Sequence, residues 1–155
     1  MPNDFTPEGA KAFIKSTRDN GGASMFLHNG RMPDVGNEKL YVVGKEPSQR
    51  TGKSVPTVHE NVATGNSVSP VNRVISHKQF AAHFARLKAE ATRPDGTVHP
   101  KAMIGSWIDD KSPVKGVQMD LSAGYKTRKT AVRKGKERGE DAVFDVKHVK
   151  DIRLK

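Results

Sequence analysis

Two apolar segments joined by one short polar turn constrain the fold of this chain more than any other feature. Residues 102–108 and 116–121 are rich in apolar side chains, and the turn between them contains Asp, Ser and Pro, which favour turns. Strands joined so closely pair antiparallel, because a parallel pair needs a crossover of about a dozen residues or more. After a basic helical segment, residues 142–146 and 149–154 predict two further strands.

Two segments carry the start signals of amphipathic helices. Thr6 can cap a helix in which Pro7 takes the first position, and Ser76 with Gln79 matches a capping box. Each start is followed by apolar residues at spacings of three and four, which indicate a buried stripe. The expected buried positions are 10, 13, 14 and 17 in the first helix, and 80, 84, 87 and 91 in the second.

The first half of the chain predicts short strands and one long loop. Residues 24–27 read as a strand that enters a hairpin turn at Asn29-Gly30, and residues 39–43 read as the next strand. Residues 44–70 are rich in Gly, Pro, Ser, Thr and Asn, which predicts a flexible insertion with a short strand near 55–59. We therefore expect a single α+β domain over residues 1–155, with a small, mostly antiparallel sheet and two or three helices.

The composition favours a protein of the cytoplasm. The chain has 155 residues, no cysteine and 34% hydrophobic residues. Without cysteine there is no disulfide framework and no thiolate to bind zinc or haem, as is typical of a reducing compartment. The N-terminus lacks a signal-peptide pattern and no window is long and apolar enough to span a bilayer, so we expect no membrane partner.

Basic residues are concentrated in one predicted helix. Residues 126–138 hold seven basic side chains and one acid, so they supply six of the ten net positive charges. Spacings of three, four and three place four of the cations in one stripe on a helix. These four are Lys126, Lys129, Arg133 and Lys136. Arg128 and Lys134 flank the stripe and complete the candidate nucleic-acid-binding set.

The other side of this helix is small and apolar. Ala131, Val132 and Gly135 are expected to rest on the sheet, and Gly139 to follow the helix as its cap. Tyr125 is expected at the stripe, whereas Trp107 is expected in the core of the sheet.

A concentrated positive surface is typical of polyanion binders, because neutralising phosphates releases counterions. The sequence accordingly favours a small, non-enzymatic protein that binds the phosphate backbone of nucleic acid. A basic face can instead bind an acidic protein, as in an assembly or host-inhibitory protein, or simply be solvated. Composition does not distinguish DNA from RNA, and it leaves the oligomeric state open.

An enzymatic alternative rests on one pair of residues. His59 and Glu60 lie beside the long polar segment, where a general base can reach a substrate. With the basic helix holding the backbone, they would suit a small metal-independent nuclease or a toxin-like RNase. The six histidines show no metal-binding spacing, and no cofactor motif is indicated.

Two further motifs have plainer explanations. The segment 47–54 ends in Gly-Lys-Ser like a phosphate-binding P-loop, but it begins with Pro47, and Pro56 argues against the helix that should follow. Asp109 and Asp110, with Asp120 on the return strand, could hold Mg²⁺, although Asp is also a preferred turn residue.

Part of the chain resembles a group of phage proteins. The elements are Ile104-Gly105-Ser106-Trp107-Ile108-Asp109, Met119-Asp120-Leu121-Ser122, Ala131 and residues 138–145, with Ala-Val-Phe-Asp at 142–145. This pattern is similar to one in uncharacterised small accessory proteins of bacteriophages that infect actinobacteria, and it covers roughly the final third of the chain. The resemblance implies an accessory protein of the host cytoplasm or the virion, and it transfers no catalytic residues.

Overall fold

The computed structural model describes residues 5–61, 74–108 and 116–155. These residues form three α-helices and a seven-stranded antiparallel sheet, which confirms the α+β fold. In chain order the elements are α1 (Pro7–Asn20), β1 (Gly22–Phe26), β2 (Tyr41–Val43), β3 (Val58–Glu60), α2 (His77–Glu90), β4 (Ala102–Ile108), β5 (Val117–Tyr125), α3 (Arg128–Glu137), β6 (Ala142–Asp145) and β7 (Lys150–Arg153).

Strand β5 is the centre of the sheet. The strand order is β1-β4-β5-β2-β6-β7, and β3 pairs with the part of β5 that β2 leaves free. Ile104 lies opposite Leu121 in the β4–β5 pair, so the two predicted strands of the final third pair antiparallel as expected. Their predicted turn, including Asp109 and Asp110, lies outside the described residues.

The two capped helices begin where the sequence predicts. Thr6 Oγ1 accepts from Gly9 N at 2.9 Å with Pro7 in the first turn, and both hydrogen bonds of the Ser76–Gln79 capping box form. The predicted stripes are buried in both helices. Helix α2 ends at Glu90, four residues before Pro94, a residue type that cannot continue a helix.

All three helices cover one face of the sheet. Alternate residues of a strand share a face. Val117, Met119 and Leu121 of β5 belong to the core beneath α1 and α2, while Tyr125 of the same face packs near Ala131 of α3. The opposite face carries a smaller apolar cluster and no helix among the described residues. Its buried members are Phe26, Leu40, Val42, Met103 and Val146.

The predicted hairpin between the first two strands is wrong. Asn29-Gly30 does form a turn, in which Gly30 has a φ of 69° and Phe26 N donates to Arg31 O at 2.8 Å. Strand β1 then pairs with β4 rather than β2. The Asn-Gly turn forms as predicted, but the partner of a strand is set by the packing of the whole sheet.

Two aromatic residues are also placed differently from expectation. Trp107 is 52% exposed, although it was expected in the core, because its position in β4 faces away from the helices. Tyr125 is buried at the end of β5, which extends four residues further than predicted, so it does not join the basic stripe.

Candidate nucleic-acid interface

Helix α3 has the local signals of a stable helix despite its charge. Thr127 precedes the helix, and its Oγ1 accepts from Thr130 N at 3.3 Å. Beyond the last turn, Gly139 takes a φ of 69° and Glu140 N donates to Gly135 O at 2.9 Å. A hydrogen bond to a backbone group therefore caps each end of the helix.

The inner face of α3 is fixed to the sheet, as its small residues predict. Ala131 and Gly135 are buried. A Cβ atom at Gly135 would lie 2.6 Å from Leu154 Cδ1 and 3.0 Å from Val143 Cγ2, so the glycine lets the helix approach these side chains more closely than a residue with a Cβ would. This contact determines which side of the helix meets the solvent.

The solvent side of α3 carries the predicted cations. All four members of the stripe are exposed, as is Arg128, while Lys134 is half-buried. Four of the cations and Val132 surround a shallow, open depression along the helix. The four cations are Arg128, Lys129, Arg133 and Lys136. The structure thus gathers these four side chains on one accessible surface, which we call the α3 basic surface. Lys126 precedes the helix, which begins at Arg128 rather than at Lys126 as the stripe predicts, and the half-buried Lys134 does not line the depression.

Little negative charge balances the α3 basic surface. Among the described residues, its only ion pair joins Arg133 Nε to Glu137 Oε1 at 4.0 Å, with both side chains more than half exposed. Lys126 helps to lower the pKa of Glu38, although the main cause is the hydrogen bond from Arg31. The first turn of α3 has no acid, so Arg128 and Lys129 stand at the positive end of the helix dipole.

Arg138, the last basic residue of the run, has a different environment. Its side chain is only 11% exposed and its Nη2 lies 2.5 Å from Glu46 Oε2, in a contact that is an ion pair rather than an aligned hydrogen bond. Its Nη2 also donates to Tyr125 Oη at 3.0 Å, and its Nη1 donates to Gly44 O. Arg138 therefore joins α3 to the segment after β2 and is not part of the basic surface.

The structure separates His59 from Glu60. Both lie in β3, where neighbouring side chains point to opposite faces, and His59 is exposed. Glu60 Oε1 lies 2.8 Å from Nε2 of the buried His83, and Glu60 Oε2 accepts from Gln79 Nε2 at 2.7 Å. The contacts of Glu60 thus connect β3 to α2.

The described part of the polar segment is tied to the domain. Glu46 N donates to Leu121 O, and Gln49 N donates to Glu90 O. Gly52 N donates to Ser48 O and Ser48 N donates to Lys53 O, so the start of the Gly-Lys-Ser motif is part of a closed turn, and the next described element is a strand, not a helix. Residues 62–70 of the predicted insertion lie outside the described residues.

A pair of carboxyl groups lies on the helix-free face, where sequence reasoning considered only Asp120. Gly44 faces both Asp120 and Glu140: Asp120 Oδ2 would lie 3.2 Å from a Cβ at this position, and Glu140 Oε1 closer still. Burial raises the pKa of both groups, that of Asp120 to about 6. Because residues 44, 120 and 140 are remote in sequence, no local pattern indicated this pair.

An apolar cleft of about 730 Å³ lies between the β1–β4 pair and the β6–β7 hairpin. Three of the four exposed large apolar side chains among the described residues line it, namely Val35, Trp107 and Val149. Lys150 and Asp151 line it too. Exposed apolar area on this part of the chain is therefore concentrated at one place rather than scattered.

In the described ranges, no helix is long and apolar enough to cross a membrane, and no three His, Asp or Glu side chains are grouped so that they could hold a metal ion. Comparisons of the chain with protein-family models, with curated proteins and with solved structures find no match.

Proposed function

We propose that the protein binds the phosphate backbone of nucleic acid through the α3 basic surface, without catalytic turnover. The observation that supports the proposal is that the exposed cations of α3 have few acidic partners, while the opposite face of the helix packs on the sheet. Like charges on successive turns cost about 0.2–0.5 kcal/mol per pair, and cations near a helix N-terminus cost a similar amount. A bound polyanion removes both costs.

The geometry suits contacts to phosphates rather than to bases. Lysine and arginine side chains reach outwards from one helix face and can meet successive phosphates of a strand. Each phosphate that is neutralised releases condensed counterions, so binding weakens as salt rises, with a slope of about −0.9 per contact on duplex DNA. Phosphate contacts position the protein without reading the sequence. We therefore expect binding with little sequence preference.

The test is fluorescence anisotropy across a salt series with labelled single-stranded RNA, single-stranded DNA and duplex DNA. The variant changes Lys129, Arg133 and Lys136 to Gln, and we expect weaker binding to all three probes with a salt slope flattened by about 2–3. The matched control changes Lys11, Lys53 and Lys78 to Gln, since these are exposed lysines outside α3. Equal losses in both triple variants would show that net charge, not the α3 basic surface, causes binding.

The same experiment separates the alternative functions. Cleavage of a probe in the absence of metal, lost in His59→Ala but kept in His99→Ala, would favour a nuclease. No binding at low salt would exclude a nucleic-acid partner and leave an acidic protein or a solvated face. Copurification of an acidic protein after nuclease treatment, lost on changing Lys129, Arg133 and Lys136, would then favour the assembly or host-inhibitory function.

A further inference from the structure

Asp120 and Glu140 lie beside Gly44, whose missing side chain leaves room for both carboxyl groups. Asp120 is in β5, Glu140 lies between α3 and β6, and Gly44 follows β2 between them. A Cβ atom at position 44 would collide with Glu140 Oε1 and would make a tight contact with Asp120 Oδ2. At Gly105 of β4, a Cβ atom would likewise lie too close to its neighbours, 2.8 Å from both Asp120 Oδ1 and Ser122 Oγ. The two glycines make room for two acids on one face of the sheet.

The surroundings of the pair favour protonated carboxyl groups. For Asp120, burial is the main cause of the raised pKa, and the charge of Glu140 adds to it. The hydrogen bond from Ser122 Oγ at 2.9 Å and the charge of Lys45 act in the opposite direction without cancelling the effect.

Glu140 has a similar balance with more neighbours. Its pKa is raised mainly by burial and further by Asp141, while three cations oppose the rise. These cations are Lys45, Arg138 and Lys155. Both carboxyl groups face Gly44, and the charge of Glu140 adds to the raised pKa of Asp120, so the pair favours a state in which it retains a proton.

We propose that Asp120 and Glu140 form a pH-sensitive latch that holds the α3–β6 connection against the sheet while the pair retains a proton, and loosens it when both groups ionise. The connection is short, and Glu140 N donates to Gly135 O at the end of α3. Repulsion that moves Glu140 therefore acts directly on the last turn of α3. The latch is independent of what α3 binds.

The direction of the pH effect follows from the raised pKa. The folded protein binds the proton of Asp120 more tightly than the unfolded chain, whose Asp has a pKa near 3.8. The stabilising contribution is complete below pH 4 and is lost as pH rises through about 6. Between pH 4 and pH 7, the unfolding equilibrium constant is expected to rise by about fiftyfold from Asp120 alone.

The first measurement is a carbon-detected NMR titration of the carboxyl groups in the unmodified protein. The latch requires the Asp120 carboxyl to titrate near pH 6 and the Glu140 carboxyl to show a coupled step. A midpoint of Asp120 in its ordinary range would overturn the proposal, and this result needs no variant to fold.

The second measurement compares Asp120→Asn with the unmodified protein in denaturant unfolding and amide hydrogen exchange from pH 4 to pH 7. Because the two proteins are compared at the same pH, the intrinsic increase of the amide exchange rate with pH cancels. We expect Asp120→Asn to lose the fiftyfold change and to protect the last turn of α3 better at pH 7. Asp151→Asn, at an exposed carboxylate, should behave like the unmodified protein. Equal exchange of α3 in Asp120→Asn and the unmodified protein at pH 7 would overturn the coupling.

Discussion

At the scale of single residues, the basic run of α3 contains two kinds of cation. Arg133 meets Glu137 at 4.0 Å with both side chains exposed, a geometry that contributes about 0–1 kcal/mol. Arg138 and Glu46 form their ion pair with side chains only 11% and 9% exposed. Loss of one partner from a buried pair leaves the other charge desolvated and uncompensated, which costs about 3–5 kcal/mol.

We therefore predict that Arg138→Met lowers the free energy of unfolding by about 3–5 kcal/mol, measured by urea denaturation at pH 7. Adding Glu46→Gln should restore part of this loss, because the variant then buries no unpaired carboxylate. Arg133→Met is the control and should change stability by less than about 1 kcal/mol. Similar losses for the two arginine variants would mean that Arg138 is as solvated as Arg133.

The residues of the α3 basic surface could be predicted from sequence, whereas the residues around it could not. A helical stripe depends on spacings of three and four, which the sequence displays directly. Glu46, Asp120 and Glu140 come together only because β2, β5 and the α3–β6 connection meet in the folded sheet. Such contacts depend on tertiary packing and leave no local pattern.

At the scale of elements, helices depend on local sequence signals, whereas strand pairing depends on tertiary packing. Caps and stripes are local, so α1 and α2 begin where Thr6 and Ser76 predict. The order of the strands is not local: β1 precedes a correct turn signal and yet pairs with β4, which begins about 75 residues further along the chain. Trp107 was misplaced for a related reason, because a strand has two faces and the sequence does not say which one the helices cover.

The contact between α3 and the sheet makes a prediction at this scale. In an exposed helix, Gly→Ala stabilises by about 1 kcal/mol. At Gly135, however, the new Cβ would lie 3.0 Å from the Cγ2 of Val143, a stiff side chain within β6, and 2.6 Å from Leu154 Cδ1. Overpacking costs about 1–3 kcal/mol, so we expect Gly135→Ala to lower the free energy of unfolding by about 1–2 kcal/mol.

Glu137→Ala is the control for this substitution, since it changes an exposed residue of the same helix and should remain within about 0.5 kcal/mol of the unmodified protein. Urea denaturation followed by circular dichroism measures both variants. A gain in stability for Gly135→Ala would mean that α3 lies further from β6 than the structure shows.

At the scale of the whole molecule, β5 connects two helix-covered cores. Met119 and Leu121 pack beneath α1 and α2, whereas Ala123 and Tyr125 pack in the core that includes α3. One continuous strand supplies both cores, so neither can lose its packing without disturbing the other. This argues for a single cooperative unit, as is usual for a chain of about this size.

Single substitutions on either side test that cooperativity. Leu87→Ala in the α2 core and Val143→Ala in the α3 core remove fully buried groups, and should cost about 3 and about 2 kcal/mol respectively. Trp107, the only tryptophan, reports on β4 by fluorescence, while far-ultraviolet circular dichroism reports on all three helices. For each variant we expect both signals to shift together to one new urea midpoint. In the opposite outcome, Val143→Ala moves part of the circular dichroism transition and leaves the Trp107 transition at its original midpoint. That result would show that α3 and its strands unfold as a separate unit. A disturbance near Glu140 would then remain confined to that part of the sheet.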